Sequence, residues 1–138
     1  MLDLTTEFGR RVARRLEEEP VIWLTTIGHD LSPQPRPVWF WWDGESFLIY
    51  SRPNTHKLRH IARNPKVALN LDGDGRGGDI VVFTGEAQVA QDGPSADQVP
   101  AYVEKYRAGF ARLQMSPEEF AGSYSVPVRV RPISLRGH

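Results

Sequence analysis

The sequence predicts a mainly β fold with α-helices: a six-stranded antiparallel barrel with flanking helices. Six segments are rich in β-branched and aromatic residues, and turn signals such as Asp43-Gly44 separate several of them. Few helical patterns lie between these segments, so hairpins rather than long crossovers are expected to connect the strands. With 138 residues the chain is expected to form one domain, residues 1–138.

The strands are expected at residues 21–27, 34–42, 46–51, 67–71, 79–89 and 124–131. The second of them is irregular, because Pro35 and Pro37 each lack an N–H group and cannot start an ordinary central strand. In the fifth strand, Gly85 indicates a bulge or a close backbone approach. The glycine-rich segment 72–78 has neither the lysine of a P-loop nor the glutamate of a calcium loop, so it is expected to be a hairpin loop.

Three further segments have helical patterns. Apolar residues recur every four positions over residues 4–18, which predicts an amphipathic helix that covers one end of the sheet. Ser95 and Ser116 are each followed three residues later by Gln or Glu, the pattern of a capping box, so each is expected to open a helix.

Composition excludes several classes of function. The net charge is zero, which argues against a nucleic-acid partner. There is no cysteine, so the chain has no disulfide, no thiolate metal site and no cysteine nucleophile, and no metal site is expected. No apolar run approaches the length of a membrane span, and the first residues do not resemble a signal peptide. The expectation is a cytoplasmic protein with no membrane partner.

One stretch of the neutral chain concentrates positive charge. Between Glu45 and Asp72 there is no carboxylate, but there are five cations: Arg52, Lys57, Arg59, Arg63 and Lys66. A helix is expected to begin after Asn54 or Thr55 and to end at Asn64-Pro65. Free N–H groups at its start, the positive end of its dipole and a lysine in its first turn would together bind a phosphate. The alternative is that the cations form only a solvated helix face.

The tryptophans are also concentrated. Three of the four lie between Trp39 and Trp42. Because neighbouring side chains of a strand point to opposite faces, Trp39 and Trp41 share one face. That face either packs in the core or lines a substrate site.

Ser51 followed six residues later by Lys57, and then by Leu58 and Asn64-Pro65, resembles a known phosphate-binding turn between a strand and a helix. It is the turn of the pyridoxamine 5'-phosphate oxidase-like split-barrel flavoproteins. Thr84-Gly85-Glu86-Ala87 resembles the Gly-x-Ala of their fifth strand. A Leu-Thr-Thr run and a later Pro-x-Pro-Arg-Pro-Val-Trp-Phe run are most similar to the short actinobacterial branch that uses the deazaflavin F420. The resemblance therefore implies a split β-barrel.

The resemblance also implies a cofactor site. The second strand would pass beside the flavin ring, Arg36 would approach the cofactor phosphate, and Ser51 and Lys57 would bind it. The complete set of expected cofactor-binding residues is Arg36, Pro37, Val38, Trp39, Phe40, Ser51, Arg52, Thr55, His56 and Lys57.

Two departures from pyridoxamine phosphate oxidases are visible in the sequence. His56 stands where those enzymes have an arginine before the phosphate lysine, and their C-terminal substrate-binding motif of arginine and histidine has no equivalent here. Oxidation of pyridoxamine phosphate is therefore not the expected activity.

F420 is the expected cofactor, because its phosphate and oligoglutamate tail carry more negative charge than FMN and match the additional arginines. The leading hypothesis is an F420H2-dependent oxidoreductase that transfers a hydride to an unsaturated organic substrate. FMN is the alternative cofactor, and a non-catalytic cofactor-binding protein is the alternative function. The resemblance also implies a homodimer with the cofactor at its interface. No proton donor is assigned; His29, His56 and His60 are the candidates by pKa class.

Overall fold

The computed structural model describes residues 2–138 as one curled, antiparallel sheet of seven strands with helices around it. The strands are β1 (Ile22–Ile27), β2 (Pro33–Val38), β3 (Trp41–Trp42), β4 (Phe47–Ser51), β5 (Lys66–Asn70), β6 (Val81–Val89) and β7 (Val126–Gly137). The helices are α1 (Glu7–Glu18), α2 (His56–Arg63), α3 (Pro100–Lys105), α4 (Arg107–Leu113) and α5 (Pro117–Ser123), with a 3₁₀ turn at Ala96–Gln98. The mainly β class with flanking helices is therefore confirmed.

The count of six strands is wrong by one, because the predicted strand 34–42 is two strands. The strand order in the sheet is β2-β1-β5-β6-β7-β4-β3, which puts β2 and β3 at opposite edges. Only Trp39 and Phe40 separate these two edge strands along the chain. The sheet must therefore curl until its edges meet, and this short link closes the barrel.

The interior of the barrel is apolar and well filled. From α1, Val12 and Leu16 are almost fully buried, so this helix covers one end of the barrel as its periodicity predicts. Phe40, Phe47 and Phe83 pack in the same cluster with 0% exposure each. Phe47 and Phe83 meet edge to face, with ring centroids 5.1 Å apart.

β4 is buried on both faces, unlike the other strands. Phe47 and Ile49 point into the barrel, whereas Leu48 and Tyr50 belong to a second apolar cluster outside it. That second cluster is formed mainly by the segment from Ser95 to Tyr124, called here the helical segment, which contains the 3₁₀ turn and α3 to α5. The helical segment therefore covers the outer face of β4.

Both capping boxes are present. The Ser116 hydroxyl accepts a hydrogen bond from the Glu119 N–H at 3.0 Å, and the Glu119 carboxylate accepts one from the Ser116 N–H at 2.9 Å. The box at Ser95 opens the 3₁₀ turn, and α3 begins only at Pro100.

Gly85 lies where the pairing of β6 with β7 changes register. A Cβ atom on Gly85 would lie 2.5 Å from the carbonyl oxygen of Arg131, so the backbones approach too closely for any side chain. Both features that the sequence predicts at Gly85 are therefore present. The register shift also lets β7 continue past Pro132 to Gly137, six residues beyond its expected end at residue 131.

Candidate functional site

The turn from β4 into α2 brings a serine, a threonine and a lysine together. Ser51 is 1% exposed at the end of β4. Its hydroxyl oxygen lies 3.1 Å from the Thr55 hydroxyl oxygen and accepts a hydrogen bond of 3.3 Å from the Lys57 Nζ. Asn54 adopts a left-handed conformation, φ 62°, which turns the chain sharply between strand and helix. The spacing of Ser51 and Lys57 in the sequence thus becomes a direct contact.

The first turn of α2 has no side-chain cap. Thr55 is the N-cap residue, but its side chain makes no capping hydrogen bond and its hydroxyl faces Ser51 instead. The first N–H groups of a helix have no partner within the helix, and the helix dipole adds positive potential there. This helix start is therefore suited to an anion.

The cations of Arg36 and of the segment from Arg52 to Lys66, which contains this turn and α2, have no carboxylate partners in the described part of the chain. Within residues 2–138, none of the following forms a salt bridge: Arg36, Arg52, Lys57, Arg59, Arg63 and Lys66. Partial burial, and secondarily the neighbouring Arg36 guanidinium, lower the pKa of Lys57. An anion bound here would offset both effects, because a negative charge favours the protonated lysine.

Two cavities meet at Lys57. The first, of about 580 Å³, is a polar groove between the β1–β2 hairpin and the start of α2, and it is called here the polar groove. It is lined among others by Arg36, Thr55, His56 and Lys57. The second, of about 420 Å³, lies between β2 and the helical segment and is called the aromatic cavity. A ligand with its phosphate at Lys57 can therefore extend into either space.

Pro37, Val38 and Trp39 line the aromatic cavity from the barrel side. The Trp39 indole is stacked between two rings: Tyr106 at 4.5 Å with an interplanar angle of 7°, and Phe120 at 5.4 Å with an angle of 16°. Gly109 leaves room for the indole, since a Cβ atom there would lie 2.6 Å from the ring. Trp39 is thus held by core-like packing and also lines the aromatic cavity.

The stack continues to the phosphate-binding turn. Phe120 stacks on Tyr124 with ring centroids 4.4 Å apart, and the Arg52 guanidinium lies over the Tyr124 ring at 5.0 Å. A cation above an aromatic face is attracted by the ring quadrupole. Tyr124 therefore holds Arg52 beside the turn that contains Ser51 and Lys57.

Phe40 differs from its neighbours Pro37, Val38 and Trp39, which line the aromatic cavity. Its side chain is fully buried in the barrel, and it does not line either cavity. Its N–H donates to the Tyr106 hydroxyl at 2.7 Å, and its carbonyl accepts from the same hydroxyl at 2.9 Å. The backbone N–H and carbonyl of Phe40 are therefore already hydrogen-bonded within the protein, and its place beside a cofactor stays a prediction of the family resemblance.

Three histidines line the polar groove: His29, His56 and His60. The His60 Nδ1 lies 2.8 Å from the hydroxyl oxygen of Thr26, which is 1% exposed. Desolvation, followed by the positive charges of neighbouring groups, lowers the pKa of His60. These effects disfavour the protonated form of the His60 imidazole, and the contact with Thr26 fixes the ring at the wall of the groove.

The sequence did not indicate the residues that complete the aromatic cavity. Tyr50 comes from β4, and Tyr102, Arg112, Phe120 and Tyr124 come from the helical segment. The apolar face containing Tyr102 was the only available signal, and it shows that a helix is amphipathic without showing what the helix covers.

The model of the pyridoxamine 5'-phosphate oxidase family matches residues 8–127. The chain belongs to this family. No curated protein matches the sequence. Among solved structures, an F420 reductase is 24% identical with a TM-score of 0.64, and the match covers 89% of this chain and 94% of that one.

Two other solved structures have the same fold. A conserved hypothetical protein from Mycobacterium tuberculosis is 22% identical with a TM-score of 0.73, covering 96% of this chain and 83% of that one. A heme storage protein from Vibrio cholerae is 12% identical with a TM-score of 0.64, covering 96% and 95%. At such identities the likeness shows a common fold, and that fold occurs in a reductase as well as in a heme storage protein.

Two further observations concern residues 2–138 only. In that range no helix has both the length and the apolar character that a bilayer crossing requires. The same residues contain no cluster of three or more histidine or carboxylate side chains that could bind a metal ion.

Proposed function

We propose that this protein is an F420H2-dependent oxidoreductase that transfers a hydride from the reduced deazaflavin to an unsaturated organic substrate. The observation that carries the proposal is the contact of Lys57 with Ser51 at the uncapped start of α2, where the polar groove meets the aromatic cavity. This arrangement offers one position for a phosphate and an adjoining space for a ring.

Each part of the site has a role in this proposal. Lys57, Ser51 and Thr55 bind the phosphate with the N–H groups of α2, and Arg36 and Arg52 add positive charge from either side. Trp39, fixed by its two stacking partners, forms a rigid wall for the ring and the substrate. The bound deazaflavin supplies the hydride, and the protein supplies binding, orientation and a partly closed apolar space.

Two features favour F420 over FMN. Arg52, Arg59 and Arg63 have no carboxylate partners among residues 2–138 and can attract a polyanionic tail, which FMN lacks.

The second feature is the free edge of β2. Pro33, Pro35 and Pro37 alternate along this edge strand and lack N–H groups, so they offer only carbonyl acceptors away from β1. An oxidised flavin presents a nitrogen acceptor at ring position 5, whereas a deazaflavin has carbon there and requires no donor.

The proposal includes a homodimer with the cofactor at its interface and a cytoplasmic location, both expected from the sequence. One observation supports the dimer. Ile133 is 56% exposed beside an apolar groove of about 410 Å³ that includes Ile27 and Ala68 on the outer face of the sheet. A second chain that covered this groove would bury Ile133.

A titration of cofactor-free protein with F420 and, separately, with FMN tests the proposal. Calorimetry at low and high salt should show tighter binding of F420, and salt should weaken it as expected for a charged tail. Oxidation of F420H2 by an acceptor should then be followed by absorbance. A preference for FMN would support the flavoprotein alternative. If F420 binds tightly but no acceptor oxidises bound F420H2, the result would support a non-catalytic cofactor-binding protein. If neither F420 nor FMN binds, all three hypotheses are contradicted.

A further inference from the structure

We propose that the aromatic cavity contains a subsite for a flat, unsaturated substrate that carries an anionic group, with Arg112 binding the anion. This inference rests on the proposed function, because it concerns the molecule that would accept the hydride. It identifies a substrate class that the fold alone does not specify.

The walls of the cavity suit a planar ring. Trp39, Phe120 and Tyr124 are consecutive members of one stack, with interplanar angles of 16° and 14° between neighbours. All three line the cavity, so one stack supplies three of its aromatic side chains. The faces of these rings are taken up within the stack, because Tyr106 also stacks on Trp39 and the Arg52 guanidinium lies over Tyr124. The rings therefore present their edges to the cavity, and such fixed edges lose little entropy when they contact a flat ligand edge to face.

The charges at the cavity favour an anion. Its lining includes two cations, Lys57 and Arg112, and no carboxylate from residues 2–138. Lys57 contacts Ser51 in the phosphate-binding turn and is therefore committed to the cofactor in the proposed function. Arg112 lies on α4 in the helical segment and forms no salt bridge within the same residues.

Arg107 provides an internal comparison on the same helix. It is exposed like Arg112, but it is paired with Glu104 at 2.6 Å and does not line the cavity. An arginine that belongs only to the solvated surface of the helix is therefore expected to resemble Arg107. Arg112 differs in both respects: it faces the cavity and its guanidinium is available for bidentate binding of a carboxylate.

The proposal is tested with trans-cinnamate as the probe and trans-cinnamamide as its neutral counterpart, by calorimetry on the full chain without cofactor. We expect cinnamate to bind about tenfold or more tightly than the amide, the gain of a hydrogen bond to a charged group. Arg112→Gln should abolish this preference, and Arg107→Gln should retain it. Equal affinity for the two probes, or an unchanged preference in Arg112→Gln, would overturn the proposal.

Two further measurements locate the probe. If Lys57→Gln rather than Arg112→Gln abolishes the preference, the carboxylate occupies the phosphate position and the proposal is wrong. If saturation with the preferred cofactor prevents cinnamate binding, the cavity belongs wholly to the cofactor and the proposal is equally wrong. If the protein binds neither F420 nor FMN but retains the Arg112-dependent preference, the proposed function is contradicted and the subsite is supported. The failures of the two proposals are therefore distinguishable.

Discussion

Lys57 combines partial burial, a hydroxyl partner and a neighbouring arginine at the start of a helix. In the proposed site it donates a charged hydrogen bond to the cofactor phosphate. Lys57→Ala should therefore weaken cofactor binding by about 1.5–3 kcal/mol. Titration with F420 measures this loss. Arg14→Ala is the control for the loss of one positive charge, because Arg14 is an exposed cation on α1 and lines neither cavity. Equal affinity of the Lys57→Ala and Arg14→Ala variants would remove Lys57 from the site.

Replacement by alanine is expected to change the free energy of unfolding in opposite directions at Gly85 and at Gly122. Gly85→Ala should lower the free energy of unfolding by about 1–3 kcal/mol, because its Cβ would collide with the Arg131 carbonyl. Gly122 lies in α5, and a Cβ atom added to it would have no neighbouring atom within 4 Å among residues 2–138. Gly122→Ala should therefore raise the free energy of unfolding by about 0.5–1 kcal/mol through helix propensity. Urea unfolding measures both, and a stabilised Gly85→Ala variant would contradict the close approach of the strands.

At the scale of elements, the Tyr106 hydroxyl joins the helical segment to the barrel. It accepts from the Phe40 N–H and lies 2.8 Å from the Pro20 carbonyl oxygen. Tyr106→Phe should lower the free energy of unfolding by about 1–3 kcal/mol, because buried backbone groups lose their partner. Tyr102→Phe is the control: Tyr102 is equally buried, but its hydroxyl has no hydrogen-bond partner among residues 2–138. Chemical denaturation of both variants measures these changes. Similar losses of unfolding free energy in the two variants would show that the Tyr106 hydroxyl contributes nothing specific.

The elements that the sequence predicts well are those whose signal is local. Each such signal spans only a few residues. Examples are the periodicity of α1, the capping box of α5 and the six-residue spacing of Ser51 and Lys57. The missed features depend on distant partners. Residues 34–42 are predicted as one strand because nothing in them shows that β2 and β3 belong to opposite sheet edges.

The same limit applies to the candidate site. The turn after β4 is local, and Ser51 and Lys57 are in contact there. The wall of the aromatic cavity, by contrast, is supplied by residues more than fifty positions further along the chain, such as Phe120 and Tyr124. Phe40 is expected beside the cofactor only through the family resemblance, and its hydrogen bonds to Tyr106 are a distant contact that nothing in its own segment shows.

At the scale of the whole molecule, Lys105 makes stability depend on pH. Its ammonium group donates to the carbonyls of Leu16 and Phe40 and lies 3.6 Å from the Phe40 ring centroid. Burial lowers the pKa of Lys105 to about 8, against an ordinary value of 10.5. Between these values the unfolded chain binds more protons than the folded one, so the contribution of Lys105 makes the free energy of unfolding rise with pH.

This rise is expected from about pH 8 to about pH 9, where unfolded tyrosines are still mostly protonated. Above that range the buried tyrosines Tyr50, Tyr102 and Tyr106, whose pKa values burial raises, oppose it. Lys105→Met should make the dependence of unfolding free energy on pH less positive over this window, whatever its effect on stability at pH 7. Lys66→Met, at an exposed position, should retain the wild-type dependence. Urea unfolding at several pH values measures the slopes, and identical slopes in the Lys105→Met variant and the wild type would disprove the assignment.

The proposed dimer is also a property of the whole molecule. Sedimentation at micromolar concentration should give the mass of two chains. Ile133→Asp should shift the equilibrium to the monomer, because it places a carboxylate in the apolar outer face of the sheet. Ala101→Asp, at an exposed position of α3 that lines neither cofactor cavity nor the outer groove, should leave the dimer intact. A wild-type protein that sediments only as a monomer would contradict the proposed dimer.

The position of β7 in the sheet has a consequence for synthesis. β7 lies between β6 and β4, so it joins the four strands β2-β1-β5-β6 to the pair β4-β3. It is the last of these strands to leave the ribosome, and until then β6 and β4 each expose an unpaired edge. The two parts of the sheet therefore cannot complete the barrel before β7 has left the ribosome. A chain stalled before residue 126 would expose two strand edges open to aggregation.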